Sequence, residues 1–299
     1  MSMSKGASDH DTGGLRILVP VDGSRQSARA AEFAGRLPAS EIVILHVATN
    51  REAGSPDFDA RLEAVAAPLR SDRRTVGTEV RTGDVAGEIL DAAAGFDLIV
   101  MATHGRGAAG RFLFGSVADR ISSHSTTPTL LVRAGTAETE LPSTARVLVP
   151  LDGSDLAELA LPIASTIASG MSLPLHLLRS VGLDEVRSTI GEQTKSGNSN
   201  TDADQTYDDA REETERRASA YLERVAERMR EGGVETHTDL LEGTAAFALL
   251  WEIGANDIVV MTSHGVHGFR RWLLGSVAEK LVRESKAPVL LVPTRGRLV

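Results

Sequence analysis

Two short stretches of the sequence carry residues suited to binding an anionic ligand. The first, VDGS, places the Asp22 carboxylate directly after an apolar run, where it can accept hydrogen bonds from a ribose. The second runs from Gly105 to Gly115 and Ser116, and its glycines let the backbone approach a phosphate closely. A helix that opens at Ser116 would add amide groups and the positive end of its dipole. A phosphate-bearing ligand held between the two stretches is therefore the first hypothesis.

Each stretch also has a purely structural interpretation, which stays open at this point. Asp22 suits the closing of its own turn, and Ser116 suits the N-cap of its own helix. The letters GRGAAG, at 105–110, satisfy GxGxxG, but they follow a fourth strand and lack the acidic residue about 20 positions on. His104 and His264 have no partners at metal-ligand spacing. We therefore expect no metal ligands and no catalytic residues.

Both stretches occur twice in the chain. RILVPVDGSRQSA, from Arg16, returns as RVLVPLDGSDLAE, from Arg146, at an offset of 130 residues. DLIVMATHGRG, from Asp97, returns as DIVVMTSHGVH, from Asp257, at an offset of 160. Because the offset grows by about 30, the sequence predicts two copies of one domain with extra residues in the second.

The domain boundaries follow from these landmarks. We predict domains at 14–135 and 143–296, joined by a polar linker from Ala134 to Thr144. The second domain carries a polar insertion near 182–207. Within it, the composition from Gly191 to Asp204 indicates a mobile loop, followed by a helix from about Asp208.

Short apolar runs rich in Val, Ile and Leu alternate with helical patterns in both copies, which is typical of a parallel sheet covered on both faces. Ser24 and Ser154 are predicted helix N-caps, and Pro162 should kink its helix. The predicted strands are 16–20, 42–47, 76–81, 97–101 and 129–133, then 146–150, 173–180, 234–241, 257–261 and 289–292.

Composition narrows the class of protein. The 299 residues are 41% hydrophobic, contain no cysteine and carry a net charge of -9. The absence of cysteine excludes thiol chemistry, and the acidic balance argues against nucleic-acid and anionic-membrane partners. The opening residues lack the apolar core of a secretion signal, and no apolar run approaches the ~18 residues of a membrane span, so we expect a cytoplasmic protein.

Both copies share a glycine, nine residues and then Gly-Ser, from Gly105 to Ser116 and from Gly265 to Ser276. Together with the two DGS elements, this pattern resembles the universal stress protein family over almost the whole chain, in a tandem two-domain, Rossmann-like arrangement. The resemblance implies an α/β fold with two tandem open parallel five-stranded sheets, each in the order 3-2-1-4-5, and helices on both faces. That order places the switch point between the first and fourth strands.

The resemblance also implies ATP as the ligand, with or without Mg²⁺. Asp22 and Asp152 match the acidic group near the ribose, and Val47, with Ser180 as its counterpart, matches the position whose backbone reads adenine. The matched phosphate-loop residues, with Arg106 added as a cation facing the phosphates, are Gly105, Arg106, Gly115 and Ser116 in the first copy and Gly265, Gly275 and Ser276 in the second.

The family's first loop glycine is replaced in both copies, by Ala102 and by Thr262. Threonine crowds the backbone more than alanine, so we expect the first copy to bind nucleotide better than the second.

The main hypothesis is an ATP-binding stress-response regulator with at most slow ATP hydrolysis. The alternatives are a partner-binding module of the same fold that has lost nucleotide, and an enzyme acting on a nucleotide-linked substrate, which the fold alone does not support. The apolar last strands, TLLV and VLLV, are predicted to pair edge to edge, either within one chain or in a homodimer.

Overall fold

In a computed structural model, residues 14–48, 56–103, 115–133, 142, 144–195, 203–263 and 274–294 are described. The first half contains the strands β1 (Leu15–Pro20), β2 (Ala39–Ala48), β3 (Thr75–Thr82), β4 (Leu98–Thr103) and β5 (Thr129–Arg133), and the helices α1 (Arg25–Ala34), α2 (Pro56–Ala66), α3 (Val85–Ala93) and α4 (Ser116–His124). The second half contains the strands β6 (Val147–Pro150), β7 (Leu175–Val181), β8 (Thr236–Glu242), β9 (Ile258–Thr262) and β10 (Val289–Val292), and the helices α5 (Asp155–Glu158), α6 (Leu161–Met171), α7 (Leu183–Lys195), α8 (Ala203–Glu231), α9 (Ala245–Glu252) and α10 (Ser276–Glu284).

The strands of each half are parallel and follow the expected order. The first half reads β3-β2-β1-β4-β5, and the second reads β8-β7-β6-β9-β10. Most residues of the central strands are buried apolar side chains, because helices cover both faces of a parallel sheet, whereas the edge strands β3 and β8 are largely not buried. In both halves the switch point lies between the first and fourth strands, where the chain winds in opposite directions.

The expected two separate sheets are joined into one sheet of ten strands across the described residues. β5 and β10 pair antiparallel, with Leu130 opposite Leu290 and Leu131 opposite Val289. These strands are buried along almost their whole length, so an unpaired edge there would expose both apolar side chains and backbone groups. The predicted edge-to-edge pairing of the two copies is thus confirmed within one chain.

Two layers of helices cover the sheet. Helices α1, α2, α5, α6 and α8 pack on one face, against strand residues such as Ile17 and Val149. Helices α3, α4, α9 and α10 pack on the other, against residues such as Leu18 and Leu148. Alternate residues of each strand therefore serve different cores, as the two-residue period of a strand requires.

The predicted start of α1 is confirmed by the Ser24 hydroxyl, which accepts a hydrogen bond from the Ser27 amide at 3.2 Å. Ser154 likewise caps α5, accepting from the Ala157 amide at 3.2 Å. Pro162 has a stronger effect than the predicted kink. The helix breaks, and Pro162 becomes the second residue of the new helix α6, where its missing amide costs little.

The insertion differs from the expected loop. Helix α7 continues to Lys195 and α8 begins at Ala203, so the residues at both ends of the predicted loop are helical. The two helices pack together through a small core that includes Val186, Ala210 and Ala218, and the Thr189 and Thr214 hydroxyls lie 2.8 Å apart. Because the segment is polar in composition, the sequence gives no indication of these few apolar contacts. Within the described ranges, no helix combines the length and apolar character needed to cross a membrane.

Candidate functional site

The turn after β1 fixes Asp22 at the carboxyl edge of the sheet. Its Oδ1 accepts hydrogen bonds from the Ser24 amide at 2.9 Å and from the Ser27 hydroxyl at 2.8 Å. Gly23 has φ +79°, a conformation that favours glycine, and a Cβ added there would meet nothing within 4 Å. Asp22 therefore closes its turn with one oxygen, while the part of the chain that the structure describes leaves open space beside Gly23.

These hydrogen bonds set the charge of Asp22. Partial burial raises the pKa of the carboxyl, but the hydrogen bonds from Ser24 and Ser27 outweigh it and hold the pKa below its usual value. The side chain is thus a carboxylate at neutral pH, which suits it to accept hydrogen bonds from sugar hydroxyls.

Strand β4 pairs parallel with β1, with Ile17 opposite Leu98, so the carboxyl ends of the two strands lie at the same edge of the sheet. Gly115 is the N-cap of α4 and makes no side-chain capping hydrogen bond, and Ser116 is the exposed first residue of the helix. The interpretation of Ser116 as the cap of its own helix is therefore wrong. No described side chain caps the first-turn amides of α4, and an anion is a suitable partner for them.

A cavity of about 160 Å³ opens between the tips of β1 and β4. Its wall is mainly apolar, with Asp22 and a few other polar groups at its rim, and it brings Asp22, Val47 and Ala102 together as expected. The cavity is smaller than the ~300–1,000 Å³ of typical ligand pockets, so a nucleotide would extend beyond it. The lining residues are Pro20, Val21, Asp22, Ser24, Gln26, Ser27, Leu45, His46, Val47, Val85, Ile89, Met101, Ala102, Thr103, Val117 and Ala118.

Several lining residues were not predicted from the sequence. Val85 and Ile89 of α3 and Val117 of α4 form the apolar wall, and Gln26 adds an amide at the rim. Val85 is 41% exposed although it is apolar and lies at the start of a helix. Val85 follows closely on the Gly83 turn after β3, at the same edge of the sheet as Asp22. That position is the signal in the sequence that could have identified it.

The predicted loop residues are only partly covered by the described chain. Gly105 and Arg106 in the first copy, and Gly265 in the second, lie outside the described residues. Gly275 is the N-cap of α10 and, like Gly115, makes no side-chain capping bond. Ser276 is exposed at the first position of that helix.

The second half repeats the site with different side chains. Asp152 Oδ1 accepts hydrogen bonds from the Ser154 amide at 3.0 Å and the Ser154 hydroxyl at 2.6 Å, while Ala157 stands where the first half has Ser27. Thr262, at the end of β9, is buried.

The strand register identifies further counterparts. Pro20 lies opposite Leu45, and Pro150 lies opposite Leu178. Ser180 therefore corresponds to Val47, as the sequence suggested, and its hydroxyl donates to the Gly243 carbonyl at 2.5 Å.

The described residues contain no cluster of three or more His, Asp or Glu side chains arranged to hold a metal ion. What they do contain, in the first half, is a carboxylate, an apolar slot and an uncapped helix start around one cavity. That combination can hold an apolar ring, hydrogen-bond a hydroxyl-bearing group and receive an anion.

Comparison with known proteins gives matches over both halves. The sequence profile described as "Universal stress protein family" matches residues 15–133 and 144–293. A universal stress protein of Mycolicibacterium smegmatis is 29% identical over 305 residues, covering 93% of this chain and 97% of that protein. The universal stress protein YxiE of Bacillus subtilis is 31% identical over 150 residues, which cover 49% of this chain and 97% of that protein.

Among solved structures, a universal stress protein from Archaeoglobus fulgidus has a TM-score of 0.64 at 21% identity, covering 93% of this chain and 98% of that one. The cytoplasmic domain of a prokaryotic cation chloride cotransporter is also similar, with a TM-score of 0.56 at 12% identity, covering 93% of this chain and 95% of that one. At these identities the likeness concerns the fold.

Proposed function

Because the chain belongs to the universal stress protein family over both of its halves, we propose that its first half binds an adenine nucleotide, ATP, and that the protein acts as a nucleotide-responsive regulator in the stress response. The observation that carries the proposal is the cavity between β1 and β4, which brings Asp22, Val47 and Ala102 to one place. In this proposal the apolar slot receives the adenine, and Asp22 receives the ribose hydroxyls.

The chemistry of the donor set fits this ligand. The Asp22 carboxylate is charged at neutral pH, and no side chain among the described residues caps the start of α4 in competition with a phosphate. Gly115 and Ser116 would hold the phosphates through backbone amides and one hydroxyl. Gly105 and Arg106 are assigned to the same role from the sequence pattern. Mg²⁺, if it accompanies ATP, would be held through the phosphates.

A regulatory role is favoured over a catalytic one. Among the described residues, the cavity lining offers one carboxylate, Asp22, with hydroxyls and apolar side chains around it. The described part of the lining supplies no second acid to share proton transfer with Asp22, and His46 Nδ1 is engaged by the Val21 carbonyl at 2.7 Å. When bound ATP is not rapidly hydrolysed, the fraction of occupied sites follows the ATP concentration. A regulator requires this behaviour.

The experiment that tests the proposal combines native mass spectrometry of the purified protein with ATP titration by calorimetry. We expect close to one adenine nucleotide per chain. Asp22→Asn should keep an acceptor for the Ser24 amide and lose the charge, which weakens ATP binding by about 1.5–3 kcal/mol, or roughly 10- to 150-fold.

Asp152→Asn is the matched control in the second half and should change ATP affinity little. Two equivalent sites per chain, or a larger loss from Asp152→Asn, would contradict the assignment to the first half. If no adenine nucleotide binds at all, the partner-binding alternative takes its place, an outcome in keeping with the replacement of the family's first loop glycine by Ala102 and Thr262.

A further inference from the structure

The end of β7 carries an arginine, Arg179, where the first half has His46 at the end of β2. We propose that the Arg179 guanidinium is an internal occupant of the second strand-tip site, filling the space above its DGS turn and fastening helix α8 across it. The inference rests on the proposed function in one respect only, namely that ligands bind at the carboxyl ends of these strands.

The two DGS turns provide a matched comparison. Gly23 and Gly153 have nearly the same backbone, with φ +79° and +88°. A Cβ added at Gly23 would meet nothing within 4 Å, whereas one added at Gly153 would lie 2.6 Å from Arg179 Nη1 and 3.3 Å from its Cζ. The volume that the described residues leave open beside Gly23 is therefore filled by a guanidinium beside Gly153.

Contacts with helices α7 and α8 hold the guanidinium in place. Its Cζ lies 5.4 Å from the ring centroid of Tyr221, on α8, and Nη2 lies 3.6 Å from Glu185 Oε2, on α7. The Arg179 side chain is only 18% exposed. Its buried Nε has no hydrogen-bond partner among the described residues, so stacking and the Glu185 contact carry the placement.

The partners of Arg179 are themselves tied to the turn. The Tyr221 hydroxyl donates to Glu158 Oε1 at 3.1 Å, and Glu158, on α5, also pairs with Arg228 of α8. Burial, with Glu158 close by, raises the pKa of the Tyr221 phenol, which stays neutral and able to donate. The Arg179 guanidinium, the Tyr221 ring and the Glu158 carboxylate thus link the DGS turn to α8. This helix is longer than any described helix of the first half.

With Arg179 in place, the turn at Gly153 serves a different purpose from the equivalent turn at Gly23. A ligand above Gly153 would have to displace a stacked cation, whereas one above Gly23 would not. Arg179 therefore fills the space beside Gly153 that is open beside Gly23, and that space serves to dock α8.

A double-mutant cycle tests the occupancy without any nucleotide. Gly23→Ala measures the strain of alanine at positive φ alone. Gly153→Ala should lower the unfolding midpoint, followed by circular dichroism, by about 3 °C more, since its Cβ must also move the guanidinium. In an Arg179→His background, which installs the residue of the first half, this excess should disappear. Arg179→Met, which keeps the stem and lacks the guanidinium, is the second background if the histidine variant does not fold.

Amide hydrogen exchange tests the fastening. Arg179→His should speed exchange around Tyr221 at least about 10-fold, because α8 loses its anchor at the turn. Arg211→His is the control, since Arg211 lies on the same helix and pairs with Glu215 and Glu242 at its surface. It should leave exchange around Tyr221 unchanged.

The proposal requires both results. Equal effects of Gly153→Ala in the wild-type and Arg179-substituted backgrounds would overturn it, and so would unchanged exchange in α8. Failure of the wild-type protein to bind ATP would contradict the proposed function. It would not alter the outcome of the double-mutant cycle or of the hydrogen-exchange measurement, which test Arg179 separately.

Discussion

Ala102 is the position at which the proposed site can be tested most sharply, because the second half supplies Thr262 as its counterpart. Ala102 lines the cavity and is partly buried at the end of β4. Replacing it with threonine adds a methyl and a hydroxyl to a space of about 160 Å³. If crowding by two heavy atoms is comparable to overpacking a core, it costs ~1–3 kcal/mol, which corresponds to roughly 5- to 150-fold weaker ATP binding.

Calorimetric titration with ATP measures this loss, and thermal unfolding separates it from instability. The unfolding midpoint should hardly change, since a β-branched residue suits a strand. Ala102→Gly restores the family's glycine and should bind at least as tightly as the wild type, while Thr262→Ala in the second half should leave ATP affinity unchanged. Wild-type affinity in Ala102→Thr would show that the ligand does not approach this strand end.

The remaining predictions concern charge, surface and the junction of the two halves. Because the pKa of Asp22 is lowered on folding, its stabilising contribution is present above the carboxyl's unfolded-state pKa and is lost as pH falls through the folded-state value. Asp22→Ala should therefore lower the unfolding midpoint more at pH 6 than at pH 3, and Ser27→Ala should raise the Asp22 pKa in an NMR titration; equal effects at both pH values, or an unmoved pKa, would contradict this. Trp251 is 93% exposed, so Trp251→Gln should leave the midpoint within about 2 °C, and a larger fall would mean that the ring packs against something. Leu290→Asp should lower the midpoint by at least about 6 °C, because it buries a carboxylate opposite Leu130; a normal midpoint would mean that β5 and β10 do not pair.

Much of the fold could be predicted because its signals are local and repeated. The strands are short runs of Val, Ile and Leu, and all ten were placed within a few residues of their observed positions. Ser24 and Ser154 identified helix starts through hydrogen bonds that span only three residues. The strand order came from the family resemblance.

The helical ends of the insertion were not predicted, for a different physical reason. The sequence around Gly191 is polar and has little helical periodicity. Its helices depend on a few apolar contacts, such as Val186 with Ala210 and Ala218, that form only when α7 and α8 pack together and onto the sheet. Tertiary packing here outweighs local composition.

The candidate site was predictable in part. Asp22 follows a strand, so its place at the sheet edge follows from the sequence, and Val47 and Ala102 lie near the ends of strands that finish at the same edge. The walls contributed by Val85 and Val117 were missed, because which helix residues face a cavity depends on how α3 and α4 pack against the sheet.

The sequence by itself determined that the chain contains two copies of one parallel α/β unit, each with an acidic turn after its first strand. Those features are written in residues close together along the chain. Only the tertiary structure decided that the two sheets are joined through β5 and β10, since an apolar edge strand can pair with any matching edge. It also decided that Arg179 fills the space beside Gly153, because that contact joins a strand end, a turn and helix α8, which meet only in the folded protein.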